Sequence, residues 1–152
     1  MSAVENPVRA WLRVEALVVF VAAVLVWVAL EGGWGRFALG FFLPDLAMLA
    51  YLAGPRVGSI AYNVAHSYAL PAVFAVVGAV LDYSPLTLGG ALWTAHIGFD
   101  RVLGYGLKYP TAFTDTHLGP IGRARATVSL AAHGDRTATP LSQASFGARG
   151  DA

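Results

Sequence analysis

Apolar residues fall in four long runs separated by short polar breaks. The runs cover about Val8–Leu30, Phe37–Ala53, Val57–Leu81 and Leu86–Leu107. Crossing a bilayer as a helix takes roughly 20 apolar residues, so each run has about the length of one span, the second being on the short side. The first run is the purest, with no polar residue between Ala16 and Leu30. It ends at Gly32-Gly33-Trp34-Gly35, a turn signal with a tryptophan suited to the membrane interface. Gly54-Pro55-Arg56 closes the second run, and Asp82-Tyr83-Ser84-Pro85 closes the third. Tyr105, Lys108 and Tyr109 mark the interfacial end of the fourth. Pro44 and Pro71 lie inside runs, where a proline kinks or breaks a helix and frees a backbone carbonyl.

The expected fold is therefore all-α: a four-helix transmembrane bundle over residues 8–109, with a flexible C-terminal tail. Residues 110–122 are polar and Gly/Pro-containing and read as an ordered cytoplasmic extension. Residues 123–152 are small and polar, a composition that does not repay the entropy of ordering, and read as a disordered tail. Arg9, Arg13 and Glu15 stand before the apolar core Ala16–Leu30 of the first run, and no small-residue cleavage site follows it, so it reads as a retained anchor, not a signal peptide.

Composition agrees with the pattern. Hydrophobic residues make up 57% and charged residues 12%, against about 25% charged in an ordinary soluble domain. A chain of 152 residues cannot hide that much apolar surface in a water-soluble core, so the surplus faces lipid or a partner. A net charge of +1 without a basic run excludes the usual nucleic-acid binder, and the lack of cysteine excludes disulfides, thiolate metal sites and cysteine nucleophiles. Loop charges set the orientation. Arg9, Arg13, Arg56, Lys108, Arg123 and Arg125 collect on one side and Arg36 stands alone on the other, which places both termini in the cytoplasm.

The chemistry lies in the polar residues inside the runs. Asp45, His66, His96, Asp100 and Arg101 sit in the second, third and fourth runs, and the first holds no such residue at depth. Each costs about 2.5–3.5 kcal/mol to insert, which makes it a functional candidate. Their depths allow one shared layer, with the first run as a lipid-facing anchor. His96 and Asp100 are four apart and stack on one helix face, as do Asn63 and His66, three apart. Arg101 points away from Asp100, with Asp45 as the carboxylate available to it. His66, His96 and Asp100 suit a divalent metal such as zinc, iron or manganese, with Asp45 as a further ligand or a base. Asp115 and His117 are placed to fold back as a general base or extra ligand. Arg101 and Lys108 suit a phosphate-like group, and Asn63, Tyr105 and His117 complete a ligand-binding set. The same side chains also suit an interhelical hydrogen-bond network, whose contacts hold a bundle together at about 0.6–2 kcal/mol each. Gly89-Gly90 and Gly104-x-Gly106 read as close-packing positions.

The stretches FFLPDLAMLAYLAGPRVGSIAYNVAHSYALP and AHIGFDRVLGYGLKYPTAFTDTHLG resemble the domain-of-unknown-function family 4260, small bacterial integral membrane proteins. The resemblance covers roughly Arg13 to Gly122 and includes every candidate residue above. It implies a multi-pass protein of the bacterial inner (plasma) membrane, in contact with the lipid bilayer, and it implies no activity. Three functions stay open: a polar intramembrane site binding a metal or small ligand, a membrane-bound metal-dependent hydrolase acting on a lipid-like substrate, and a transporter or channel component. Four helices are few for the last, which requires a homo-oligomer.

Overall fold

The computed structural model describes residues 6–119 and 121, and these are all-helical apart from one isolated antiparallel bridge. The expected tail at 123–152 lies outside the described residues. Helix α1 is Asn6–Ala29, α2 is Trp34–Gly40, a 3₁₀ helix follows at Leu43–Ala53, and α3, α4 and α5 are Pro55–Ala65, Ala69–Val80 and Ser84–Leu103. They form four long helical segments. Three of them, Pro7–Ala29, Trp34–Ala53 and Pro55–Val80, are long and apolar enough to cross a membrane. Helix α5 has 20 residues but carries Thr87, Thr94, His96, Asp100 and Arg101.

Prolines set most of the boundaries. Pro44, Pro55 and Pro85 each stand in the first turn of the element they begin, where the missing N–H needs no partner. Pro44 opens 11 residues of 3₁₀ helix, an unusually long run of that form. At about 2.0 Å per residue instead of about 1.5 Å, that stretch gains roughly 5 Å over an α-helix, which lengthens the segment that is short by residue count. Pro71 breaks the third segment upstream of itself. Its ring clashes with the carbonyl four residues earlier, so α3 stops at Ala65 and α4 starts at Ala69 with Pro71 in its first turn. The Ala69 amide donates to Ser67 Oγ at 3.2 Å across the gap.

Helix α5 is the centre of the packing. Helices α1 and α4 lie against it, and α3 lies against the 3₁₀ helix. The first segment is largely exposed, as a lipid-facing anchor would be, with Val18, Leu25 and Val28 on its open side, while Ala16, Ala23 and Trp27 are buried. A core of Ala23, Phe41 and Ala95 joins α1, the α2 end and α5. Arg13 donates to the carbonyls of Val102 (2.7 Å) and Leu103 (3.0 Å), capping the negative end of α5. The helix ends at Gly104, whose φ of 96° is left-handed, so Tyr105, Leu107 and Lys108 belong to the following extension and not to the fourth helix as the sequence suggests.

Small residues allow the close crossings. A Cβ on Gly90 would stand 2.5 Å from the Ala75 backbone N and 2.6 Å from Pro71 O, whereas one on Gly89 would meet nothing within 4 Å. Of the adjacent pair, Gly90 is therefore the packing position. Gly90→Ala is expected to cost about 1–3 kcal/mol by overpacking. Gly89→Ala is expected to leave stability unchanged or raise it by up to about 1 kcal/mol through helix propensity. Thermal unfolding of both variants in the same detergent checks the contrast; equal losses would refute it.

Candidate metal centre

Four side chains converge beside α5. Asp45 comes from the first turn of the 3₁₀ helix, His66 from the C-cap of α3, and His96 and Asp100 from one face of α5. The Nε2 atoms of His66 and His96 are 3.2 Å apart. His66 Nε2 is 3.4 Å from Asp45 Oδ1 and 3.5 Å from Asp100 Oδ2; His96 Nε2 is 3.6 Å and 3.9 Å from the same atoms. All four ligand-type atoms lie within 4.8 Å of one another. Both imidazoles are 1% exposed, while the carboxylates keep 29% (Asp45) and 15% (Asp100).

The break at His66 makes this possible. As a C-cap, the residue leaves the helical path with φ −110° and ψ 17°, and its Nδ1 approaches Tyr62 O at 3.0 Å. A carbonyl only accepts, so Nδ1 carries the proton and the Nε2 lone pair faces the cluster. The Tyr62 ring stacks on the His66 ring, with centroids 3.8 Å apart, and its hydroxyl donates to Asp100 Oδ2 at 3.3 Å. His96 is held by packing, with Phe41 and His66 against it edge-on. Its Nδ1 is buried, with no hydrogen-bond partner among the described residues. With His66 in this tautomer, two imidazole nitrogens and two carboxylates meet with at most one imidazole proton between them. Such an acceptor-rich centre suits a cation.

Other residues support the centre without entering it. Arg101 donates to His66 O (3.0 Å) and Tyr105 O (3.1 Å), so its guanidinium goes to these carbonyls instead of to Asp45. Trp93 Nε1 donates to Ala65 O at 2.6 Å, so α5 satisfies two carbonyls at the helix break. Asn63 clamps the Lys108 backbone from both sides, donating to its carbonyl (2.8 Å) and accepting from its amide (2.7 Å). Lys108, buried, sends its ammonium to Phe113 O at 2.9 Å, over the Phe113 and Tyr62 rings. Burial pushes this ammonium below its usual range, and the Asp100 and Asp45 charges oppose the shift. A cavity of about 430 Å³ opens beside the cluster, with Asp45, His96, Asp100, Tyr62, Tyr105 and Lys108 in its wall.

The extension holds Asp115 and His117 away from the cluster. Asp115 accepts from the Thr111 hydroxyl at 2.7 Å, and His117 Nδ1 accepts from the Leu107 amide at 2.8 Å. Tyr62 and Trp93 do not stand out in the sequence reading. Tyr62 is four residues before His66 and Trp93 three before His96, on the faces already carrying a candidate, and that spacing was the available signal.

A family model described as a domain of unknown function (DUF4260) matches residues 9–121. No curated protein and no solved structure matches the chain.

The His117 contact makes the extension pH-sensitive. Burial, and then the nearby Arg101 charge, lower this imidazole below its usual value, and only the neutral ring accepts the Leu107 amide. The contact is therefore fully present above the unfolded value of about 6.5 and is lost as pH falls through the lower folded value. Hydrogen exchange at the Leu107 amide, corrected for intrinsic rate, is expected to accelerate on acidification, and His117→Ala is expected to remove the dependence.

Proposed function

As this chain belongs to the DUF4260 family, which brings no assigned activity with it, we propose from its own geometry that it is a membrane-embedded divalent-metal protein performing metal-assisted hydrolysis. One observation carries the reading. Ligands about 2.0–2.2 Å from a zinc-type ion at tetrahedral angles stand about 3.3–3.6 Å apart. The four nitrogen-to-oxygen separations here are 3.4, 3.5, 3.6 and 3.9 Å, the nitrogen pair is at 3.2 Å, and the two carboxylate oxygens complete the set within 4.8 Å. Mixed imidazole and carboxylate donors suit zinc, iron or manganese.

His66, His96 and Asp100 hold the ion in this reading. The Tyr62 carbonyl fixes the His66 tautomer and the Tyr62 hydroxyl orients Asp100, the kind of outer support that metal ligands ordinarily have. A catalytic site keeps one position open. Asp45, the most exposed of the four and part of the cavity wall, is the group to yield it and to take the proton of an attacking water. A bound ion supplies Lewis acidity and lowers the pKa of water toward neutrality. Lys108, in the same wall, faces the negative charge that develops on the substrate. The long apolar segments support a site at bilayer depth in this reading.

Two measurements test the proposal. Elemental mass spectrometry of the detergent-purified protein is expected to give about one equivalent of zinc, iron or manganese, lost in His66→Ala and His96→Ala. Absence of metal after chelator-free purification and reloading refutes it and leaves an interhelical hydrogen-bond network as the account of these residues. Asp45→Asn separates base from ligand: metal retained with hydrolysis lost by at least about 100-fold identifies a base, and metal lost identifies a fourth ligand.

A further inference from the structure

The cavity beside the cluster has a composition that defines what it accepts. Away from Asp45, Tyr62, His96, Asp100, Tyr105 and Lys108 its wall is apolar, with Phe41, Phe42, Phe99, Phe113, Met48 and Leu103. Phe42, Phe99, Leu103 and Phe113 are also exposed at the molecular surface, so the wall runs outward to an apolar rim. Phe42 lies in a segment apolar enough to cross a membrane, and Phe99 and Leu103 lie on α5. The rim is therefore apolar and exposed, and its Phe42 edge belongs to a segment apolar enough to cross a membrane.

Charge sets the other end. Two carboxylates (Asp45, Asp100) stand with two cations (Lys108, Arg101), a balanced set without metal. A divalent ion leaves two positive charges uncompensated in a site whose imidazoles are almost fully buried. Unpaired charge in such surroundings is costly, and an anion bound between ion and ammonium offsets it. Lys108 is pre-positioned for that, because Asn63 fixes its backbone and the Tyr62 and Phe113 rings hold its ammonium at the cavity wall.

We infer that this cavity binds a single-chain anionic amphiphile, with its oxyanion head between the metal centre and Lys108 and its chain running out past Phe42, Phe99 and Leu103 into the lipid. This rests on the metal reading above. The head group presents anionic oxygen to two cationic partners, and the chain contributes apolar burial against the aromatic wall. A substrate of this class reaches the site sideways, from within the bilayer.

The test uses the full chain in neutral detergent, loaded with zinc and quantified first. Titration calorimetry then compares dodecyl phosphate, dodecanol and inorganic phosphate on the wild type, its zinc-free form and Lys108→Met. Dodecyl phosphate is expected to bind the zinc-loaded wild type at least about tenfold more tightly than either other probe, and tenfold more tightly than it binds the zinc-free form or Lys108→Met, the size of effect one buried charge pair supports. Lys108→Met keeps a stem of similar shape, and its zinc content, expected to match the wild type, shows that the centre is intact. Dodecanol binding as tightly as dodecyl phosphate overturns the anionic head. Inorganic phosphate binding as tightly overturns the chain subsite. Equal binding by Lys108→Met, or its loss of zinc, overturns the role of Lys108 as head-group anchor. Failure of the wild type to take up zinc refutes the metal reading itself, and this inference with it; normal zinc content with no preference among probes refutes this inference alone.

Discussion

Pro71 has no amide hydrogen, and its ring collides with the carbonyl four residues before it, so a helix approaching it from the N-terminal side has to stop first. The site depends on that constraint. Because α3 ends at Ala65, His66 becomes a cap instead of a point on a continuous helix face, and its Nδ1 meets the carbonyl of Tyr62. The break also frees carbonyls that must find donors inside an apolar structure. Trp93 takes Ala65 O and Arg101 takes His66 O, both from α5. These two bonds tie the break to α5, the helix that carries His96 and Asp100. The irregularity in the third segment and the meeting of the four polar side chains therefore have a common origin.

Around the cluster the structure divides its work between polar and aromatic contacts. Tyr62 does both, stacking on one imidazole while bonding one carboxylate. Phe41 packs against His96 and Phe99 and links the cluster to the Ala23–Ala95 core. The cations are set at a distance from the carboxylates: Arg101 is spent on backbone carbonyls and Lys108 on Phe113 and two rings. With no cationic side chain among the described residues bonded to them, the carboxylate oxygens of Asp45 and Asp100 that face the imidazoles stay directed at the centre of the cluster. The compact turn at 107–117 holds Lys108 in place through Asn63, the Leu107–His117 contact and the Lys108–Thr116 bridge, so the extension after α5 is part of the cavity wall.

Much of this was legible in the residues alone. Helical class and the four long segments follow from apolar run length and from Gly and Pro positions, which are local properties, whereas the end of the fourth at Leu103 does not. The pairing of His96 with Asp100 follows from helical spacing, and the gathering of Asp45, His66, His96 and Asp100 follows from the cost of placing such groups in apolar runs. Tertiary structure decided what spacing cannot. It showed which side of α1 packs on α5, where small residues such as Ala16, Ala23 and Gly98 permit a close crossing. It turned Arg101 to His66 O instead of Asp45, which gives a donor to a carbonyl freed by the helix break. It gave Asn63 and His117 to the extension, and it brought in Tyr62 and Trp93, whose partners lie across a helix break or on another helix. One-dimensional pattern records which groups are too costly to leave unpartnered; the choice of partner is made in space, by where the breaks in the helices leave donors and acceptors exposed to each other.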